Sequence, residues 1–274
     1  NFFIIMAIIT LTSDWGNSDF YVPAVKGAIF SLLPDVNIVD ITHNVKSFDV
    51  KSAAFIVKNC YKNFPKGTVH VLAVDTEESS DNPHVALKVN DHYFVGTDNT
   101  IFSLIVDKDS YEAVIIDVMQ DTGFFTFSTR DRFAKVAVML SNGVPLSEIG
   151  KPYHIKESLE FKPSYDANAI HGLVYYIDAY DNLITNITQE LFEQERAGRK
   201  FTIKVGGKYT INKICDSYQD VPSSEHLALF GTHGFLEIAI NHDKAASLLG
   251  MHTDSSVDIY FDDDRHVHNG NTLF

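Results

Sequence analysis

The stretch FPKGTVHVLAVDTEESSDNPH, residues 64–84, holds the pattern that decides the fold. Pro65-Lys66-Gly67 stops a preceding helical run, Thr68 to Val74 forms an apolar, Val-rich strand, and Asp75 ends that strand among acidic and small polar residues. The same alternation lies upstream. An Ile-rich run from Ile4 to Leu11 reads as a buried strand, and Pro23 to Leu33 shows helical apolar spacing that ends at Pro34. VNIVDIT, residues 36–42, is a second strand, and DVKSAAFIVKNCYKNF, residues 49–64, is a helix with Asp49 as its N-cap. Strand and helix in turn predict a mainly parallel sheet covered by helices. In such sheets ligands gather beyond the strand ends, which makes Asp75 a candidate site residue.

Downstream, Val85 to Val89 and His92 to Val95 read as a hairpin around Asn90-Asp91, and DRFAKVAVMLSNG, residues 131–143, as a helix closed by Gly143. The periodicity fades between Gly150 and Asn168, which places a domain boundary there and predicts domains over 1–160 and 169–274. Beyond it, HGLVYYID, FTIKVGG and KYTIN are short β-rich segments, with brief helical signals at Gln189 to Arg196 and Lys244 to Leu249. The last stretch, DDDRHVHNGNTLF, reads as a polar tail. The expected fold class is α/β: an N-terminal mainly parallel α/β sandwich domain plus a smaller C-terminal β-barrel-like domain.

The composition narrows the function classes. Of the 274 residues 45% are apolar and 21% charged, an ordinary balance for a folded chain. A formal net charge of -14 argues against nucleic acid as a partner. Cys60 and Cys215 are too few and too far apart for a metal cluster or disulfide framework, and both read as free thiols. The opening NFFIIMAIITL is apolar but lacks a basic leading region and a cleavage site, so it reads as a strand of a cytoplasmic protein, with no membrane span. GxGxxG, GxxxxGK[ST], HExxH and GxSxG are all missing, and the twelve His residues are dispersed, which leaves no expected metal site. What remains is a set of loops after apolar strands. Asp14, Asp19, Asp75, Asp98 and Asp178 sit where strands give way to loops, as carboxylates that meet hydroxyls or amines do.

In order, these motifs resemble the adenosine-forming S-adenosylmethionine hydrolases, or hydroxide adenosyltransferases, relatives of the fluorinases and chlorinases. The family's opening T-x-D-F-G-x-x-D-x-Y-V is matched by Thr12, Asp14, Trp15, Gly16, Asp19, Tyr21 and Val22. VDITH stands at Val39 to His43, followed by FDVKSAAF, and FPKGTVHVLAVD ends at Asp75. DAYDNLITNI runs from Asp178 to Ile187, and GFLEIAINHDKAASLLG is similar to the family's C-terminal signature.

The resemblance implies S-adenosylmethionine as substrate, no cofactor, no metal, and a homotrimer with sites at subunit interfaces. By position, Asp14 would hold the ribose diol, Asp19, Asp178 and Thr232 the methionine end, and Asn182 the adenine. His233 falls where fluorinases carry an Arg for the methionine carboxylate, and the imidazole would donate a hydrogen bond there. Asp75 would handle the attacking water, with Asn82, Ser128 and Thr129 lining its pocket. Hydrolases of the family carry an Arg at the position of Asn82 and a His at that of Ser128. Those two replacements leave a catalytically silent S-adenosylmethionine or adenosine-binding trimer as the alternative. A halide-using relative stands third, because the halogenases put a Tyr at the position of Asp75 and a carboxylate repels halide.

Overall fold

The computed structural model describes residues 7–106, 110–158 and 162–262. The chain divides into two compact units, Asn1–Leu159 and Glu160–Phe274.

The first unit runs β1 (Ile8–Ser13), α1 (Tyr21–Leu32), β2 (Asn37–Thr42), α2 (Val50–Lys58), β3 (Val69–Ala73), β4 (His84–Val89), β5 (His92–Thr97), α3 (Ile101–Ile105), β6 (Tyr111–Ile116), α4 (Ala134–Ser141), α5 (Leu146–Ile149) and β7 (Gly150–Pro152). Its strands form one sheet in the order β2-β1-β3-β5-β4-β6-β7. Pairing is parallel from β2 through β5 and antiparallel from β5 through β7. The sheet is thus mixed, parallel where strand and helix alternate. The change of direction comes from the β4–β5 hairpin, whose turn residues Asn90 and Asp91 have φ of 50° and 61°, both in the left-handed region that a tight two-residue turn requires. The strand expected from Ile4 begins at Ile8 among the described residues; residues 4–6 and the tail at 263–274 lie outside them.

Alternation along β3 divides the core between the two sheet faces. Val69 and Val71 pack with Val25 and Ile29 of α1 and with Val136 and Ala137 of α4, whereas Leu72 and Val74 pack with Ala53 and Val57 of α2 and with Phe102 of α3. Pro23 is tolerated in the first turn of α1 because amides there have no helical acceptor to lose. Asp49 caps α2 through Oδ1, which accepts from the Ser52 N–H at 3.0 Å.

On the face of Leu72 and Val74, against Tyr61 and Phe94, sits a buried imidazole pair. Thr10 Oγ1 and His70 Nδ1 are 2.8 Å apart, and His70 Nε2 meets His92 Nδ1 at 3.3 Å. Burial, with His92 beside it, pushes the His70 pKa down to about 3, and burial lowers that of His92. A depressed His pKa means that the unfolded chain binds the extra proton, so stability is full above the unfolded value near 6.5 and falls as pH drops toward 3. His70 alone accounts for about 1.4 kcal/mol per pH unit in that window. The urea midpoint of this unit is therefore expected to hold from pH 7.5 to about 6.5 and to fall steadily from there to pH 5.0; a profile flat over the whole range would rule out a neutral buried His70.

The second unit comprises β8 (Ser164–Tyr165), β9 (Ala169–Ile177), β10 (Leu183–Thr188), α6 (Gln189–Arg196), β11 (Phe201–Val205), β12 (Tyr209–Ile211), β13 (His226–Phe230), β14 (Phe235–Ile240), α7 (Ala245–Leu249) and β15 (Ser256–Phe261). The strands pair antiparallel in the order β12-β11-β15-β9-β10-β14-β13, with β8 on β9. The two ends of this order meet where Ile214 bridges Ala228 and the Cys215 N–H donates to the Ala228 carbonyl at 2.8 Å, so the sheet nearly closes into a barrel. Inside, Ile203 and Val205 of β11 join Ile170, Leu183, Phe192 and Ile238, while Lys204 points to solvent.

Candidate active site

Asp75 lies just past the end of β3 with φ of 49°, a backbone state that Asp tolerates better than most residues. Asn99, past the end of the parallel neighbour β5, holds it there. The Asn99 Nδ2 group donates to the Val74 carbonyl at 3.1 Å and to the Asp75 carbonyl at 2.9 Å. Further along the loop, Ser79 and Asn82 close a small turn through two hydrogen bonds, and the Asn82 Oδ1 accepts from Lys156 Nζ at 2.7 Å. The Lys156 backbone N–H in turn donates to Oδ2 of Asp98, a fully buried carboxylate at the end of β5. Burial and that carboxylate push the Tyr153 phenol up to about 12.

A second brace ties this loop to the start of α4. Arg132 Nη1 donates to both Glu78 oxygens, at 2.9 and 2.8 Å, and to His84 Nδ1 at 2.9 Å. The other ring nitrogen, Nε2, donates to the Thr76 carbonyl at 3.1 Å. Burial lowers the His84 pKa and the Arg132 charge adds to the effect, so the ring is the neutral tautomer that this bonding requires. Neither Arg132 nor His84 stood out in the sequence; Arg132 was one charge in a helical run, and His84 closed the polar loop before the strand expected from Val85, a strand that in fact begins at His84.

Arg132 belongs to a π-turn over Thr129–Phe133, immediately before α4, in which the Ala134 N–H reaches back to the Thr129 carbonyl. Such turns are frequent at functional sites. Ser128 and Thr129 are both buried here. The Ser128 hydroxyl accepts from Gln120 Nε2 at 3.1 Å, while the Thr129 Oγ1 is buried without a hydrogen-bond partner among the described residues, as is Thr12 Oγ1 at the end of β1. Asp131 in the same turn is held by Arg130, whose hydrogen bond keeps its carboxyl below the usual carboxylate range, and by Thr122.

Asp14 follows β1, and its Oδ2 accepts the Phe48 N–H at 2.9 Å. The flanking residues are fixed by the loop after β2: the Gly16 N–H donates to the His43 carbonyl at 2.6 Å and Ser13 Oγ meets His43 Nδ1 at 2.7 Å. Ser13 is fully buried and positions that ring rather than facing a ligand. Asp19 is exposed, with Oδ1 accepting the Phe20 N–H. Trp15 stacks into an aromatic cluster with Tyr21 and Phe127, ring centroids 5.9 and 5.7 Å away, and the Arg130 guanidinium lies 5.0 Å over Phe127.

The second unit gathers its own polar cluster. Asp178, after β9, accepts from the backbone N–H groups of Tyr180 at 2.9 Å and Asn182 at 2.8 Å, and from Asn182 Nδ2 at 3.2 Å. Thr232 is exposed in the loop before β14. His233 keeps one ring hydrogen to donate, and within the unit it is directed at a carboxylate. Its Nδ1 accepts the Phe235 N–H at 3.1 Å, so the proton is on Nε2, which faces Glu237 Oε2 at 3.3 Å. Glu237 also accepts from the Tyr218 hydroxyl at 2.6 Å, and burial together with this carboxylate pushes the phenol up. This buried Glu was missed in the sequence, although a single charge inside the apolar strand FLEIAI was the signal for it.

Two family patterns match the chain: the SAM hydroxide adenosyltransferase N-terminal domain over residues 9–150 and its C-terminal domain over residues 172–258. The chain belongs to the SAM hydroxide adenosyltransferase family. Among its curated relatives, the (R)-S-adenosyl-L-methionine hydrolase of Methanocaldococcus jannaschii is 29% identical over 94% of this chain and 97% of its own length. That of Thermus thermophilus is 27% identical over 87% and 94%, and a fluorinase of Actinoplanes is 24% identical over 72% and 77%. A conserved protein of Thermotoga maritima, known from its crystal structure, superposes with a TM-score of 0.83 at 29% identity, covering 92% of this chain and 99% of that one. Among the described residues no three His, Cys, Asp or Glu side chains are grouped to hold a metal ion, and no helix is long and apolar enough to cross a membrane.

Proposed function

We propose that this protein hydrolyses S-adenosyl-L-methionine to adenosine and methionine. The observation that carries the reading is Asp75: a carboxylate at a parallel strand end, fixed through its own carbonyl by Asn99, in the segment where the family match and the hydrolase relatives coincide. Water attacks the ribose 5′ carbon, the carbon–sulfur electrons return to the sulfonium, and neutral methionine thioether departs. The water's proton goes to Asp75. Because the leaving group is already cationic, the protein contributes positioning, water exclusion and proton handling, with no cofactor beyond the substrate.

In this reading Asn82, Ser128 and Thr129 line the pocket of the attacking water, and Asp14 binds the ribose diol. Asp19, Asp178 and Thr232 serve the methionine end and Asn182 the adenine. His233 stands at the methionine carboxylate end, with its Nε2 hydrogen directed at Glu237 within the unit. The assembly is a homotrimer with sites at subunit interfaces, working in the cytoplasm and binding no nucleic acid, in keeping with the net charge of -14. A silent S-adenosylmethionine- or adenosine-binding protein is the second reading, favoured by the Ser128 hydroxyl being taken up by Gln120.

Chromatography of the protein incubated with S-adenosylmethionine, with chloride and fluoride varied, separates these readings: adenosine and methionine in equal amounts and independent of halide are expected. The binding step has its own reporter. Trp15 is the chain's single tryptophan and directly follows Asp14, so its emission is expected to change saturably on addition of S-adenosylmethionine or adenosine. A saturable change without product would select the silent binder, and no change at all would remove Asp14 from the ligand's surroundings.

A further inference from the structure

We propose that Lys156 is a positioning residue for the attacking oxygen, acting through Asn82 as a cation-backed amide donor. The inference rests on the hydrolase reading and adds to it a residue from outside the strand-end loops.

Three observations place Lys156. The β3–β5 register sets Val71 opposite Val95, and carried forward by four residues it sets Asp75 opposite Asn99, in agreement with the 2.9 Å bond between the Asn99 amide and the Asp75 carbonyl. Asp98, next to Asn99, fixes the Lys156 backbone through Oδ2 at 2.8 Å, which brings residue 156 to the same sheet end as Asp75. From there the side chain reaches the Asp75 loop, and Nζ donates to Asn82 Oδ1 at 2.7 Å.

The chemistry follows from the direction of that bond. Lysine only donates, so its contact settles which end of the Asn82 amide is oxygen. The Nδ2 hydrogens have no acceptor among the described residues and are left for an incoming oxygen. A positive charge on the amide oxygen polarises the amide and strengthens those donors. As the attacking water gives its proton to Asp75 and its oxygen becomes hydroxide-like, a cation-backed donor favours the charge that develops.

The test compares kcat and KM for adenosine formation in the wild type, Lys156→Met, Lys156→Arg and Lys156→Met combined with Asn82→Arg, with melting temperatures measured alongside. Lys156→Met is expected to lower kcat by about 10- to 100-fold with little change in KM, less than the roughly 100- to 1,000-fold cost of losing a charge-stabilising donor outright, because the Asn82 amide itself remains. Lys156→Arg should keep most of the activity, and Asn82→Arg should restore the Met variant by putting a cation directly on the loop. A Lys156→Met variant with wild-type kcat would overturn the inference and leave the hydrolase reading intact. So would a loss that tracks a lower melting temperature and is not restored by Asn82→Arg. A wild type that forms no adenosine would overturn the hydrolase reading, and this inference with it.

Discussion

Asp75→Asn is expected to cut adenosine formation by at least about 100-fold, the lower end of what a positioned general base supplies. The variant isolates that role. Asparagine is isosteric with aspartate and accepts the positive φ of 49° that this position imposes, so the backbone is not strained. The bond from Asn99 goes to the main-chain carbonyl and survives the substitution. Only the capacity to accept the water's proton is removed. Binding, followed by Trp15 emission, should be largely kept, and kcat should fall while KM stays near its wild-type value. A variant that turns over at the wild-type rate would show that another group takes the proton.

Gly150→Ala is expected to produce the largest loss of stability, about 3 kcal/mol or more, because the added carbon has nowhere to go. A Cβ at this position would lie 1.8 Å from the Ile115 carbonyl oxygen and 2.7 Å from its carbon, both main-chain atoms of the paired strand β6. The backbone at Gly150 is ordinary extended chain with φ of -175°, so the whole cost is one of packing. Relief requires β7 to move off β6. For a unit of this size the melting temperature would drop by roughly 6–12 °C. Activity should fall as well, since β7 leads the chain directly to Tyr153 and Lys156 at the buried Asp98. A melting temperature within a degree of the wild type would mean that the β6–β7 pairing is looser than described.

Much of the first unit was legible because local chemistry agreed with the tertiary result. Asp49 capped the helix it was expected to cap, and Asn90-Asp91 made the expected turn. The placement of that hairpin in the sheet was not legible: nothing in the periodicity of β5 or β6 says that β5 will lie beside β3 and β6 beside β4, since pairing order is decided across the sheet. The π-turn at Thr129–Phe133 left no trace either, because its residues satisfy helical spacing equally well. Lys156 was hidden for a different reason. It lies in the stretch from Gly150 to Asn168 where the periodicity fades, and without strand or helix spacing nothing local fixes where its side chain goes; a backbone bond to the buried Asp98 does so instead. Glu237 was visible as a charge in an apolar strand, but its two partners, Tyr218 and His233, come from separate loops and meet only in the folded unit.

The path from β3 to β4 has a further consequence. These two strands are not neighbours, since β5 lies between them, and the chain crosses the end of β5 on its way. Two inter-strand spacings amount to roughly 10 Å, a gap that about three extended residues would close. Residues 74–83 make the crossing with far more chain than connectivity demands. The surplus is the portion that carries Asp75, Glu78 and Asn82. Shortening the crossing would leave the sheet's wiring possible and take away its chemistry, so insertions and deletions here should separate foldable chains from working ones more sharply than at any hairpin of the same sheet.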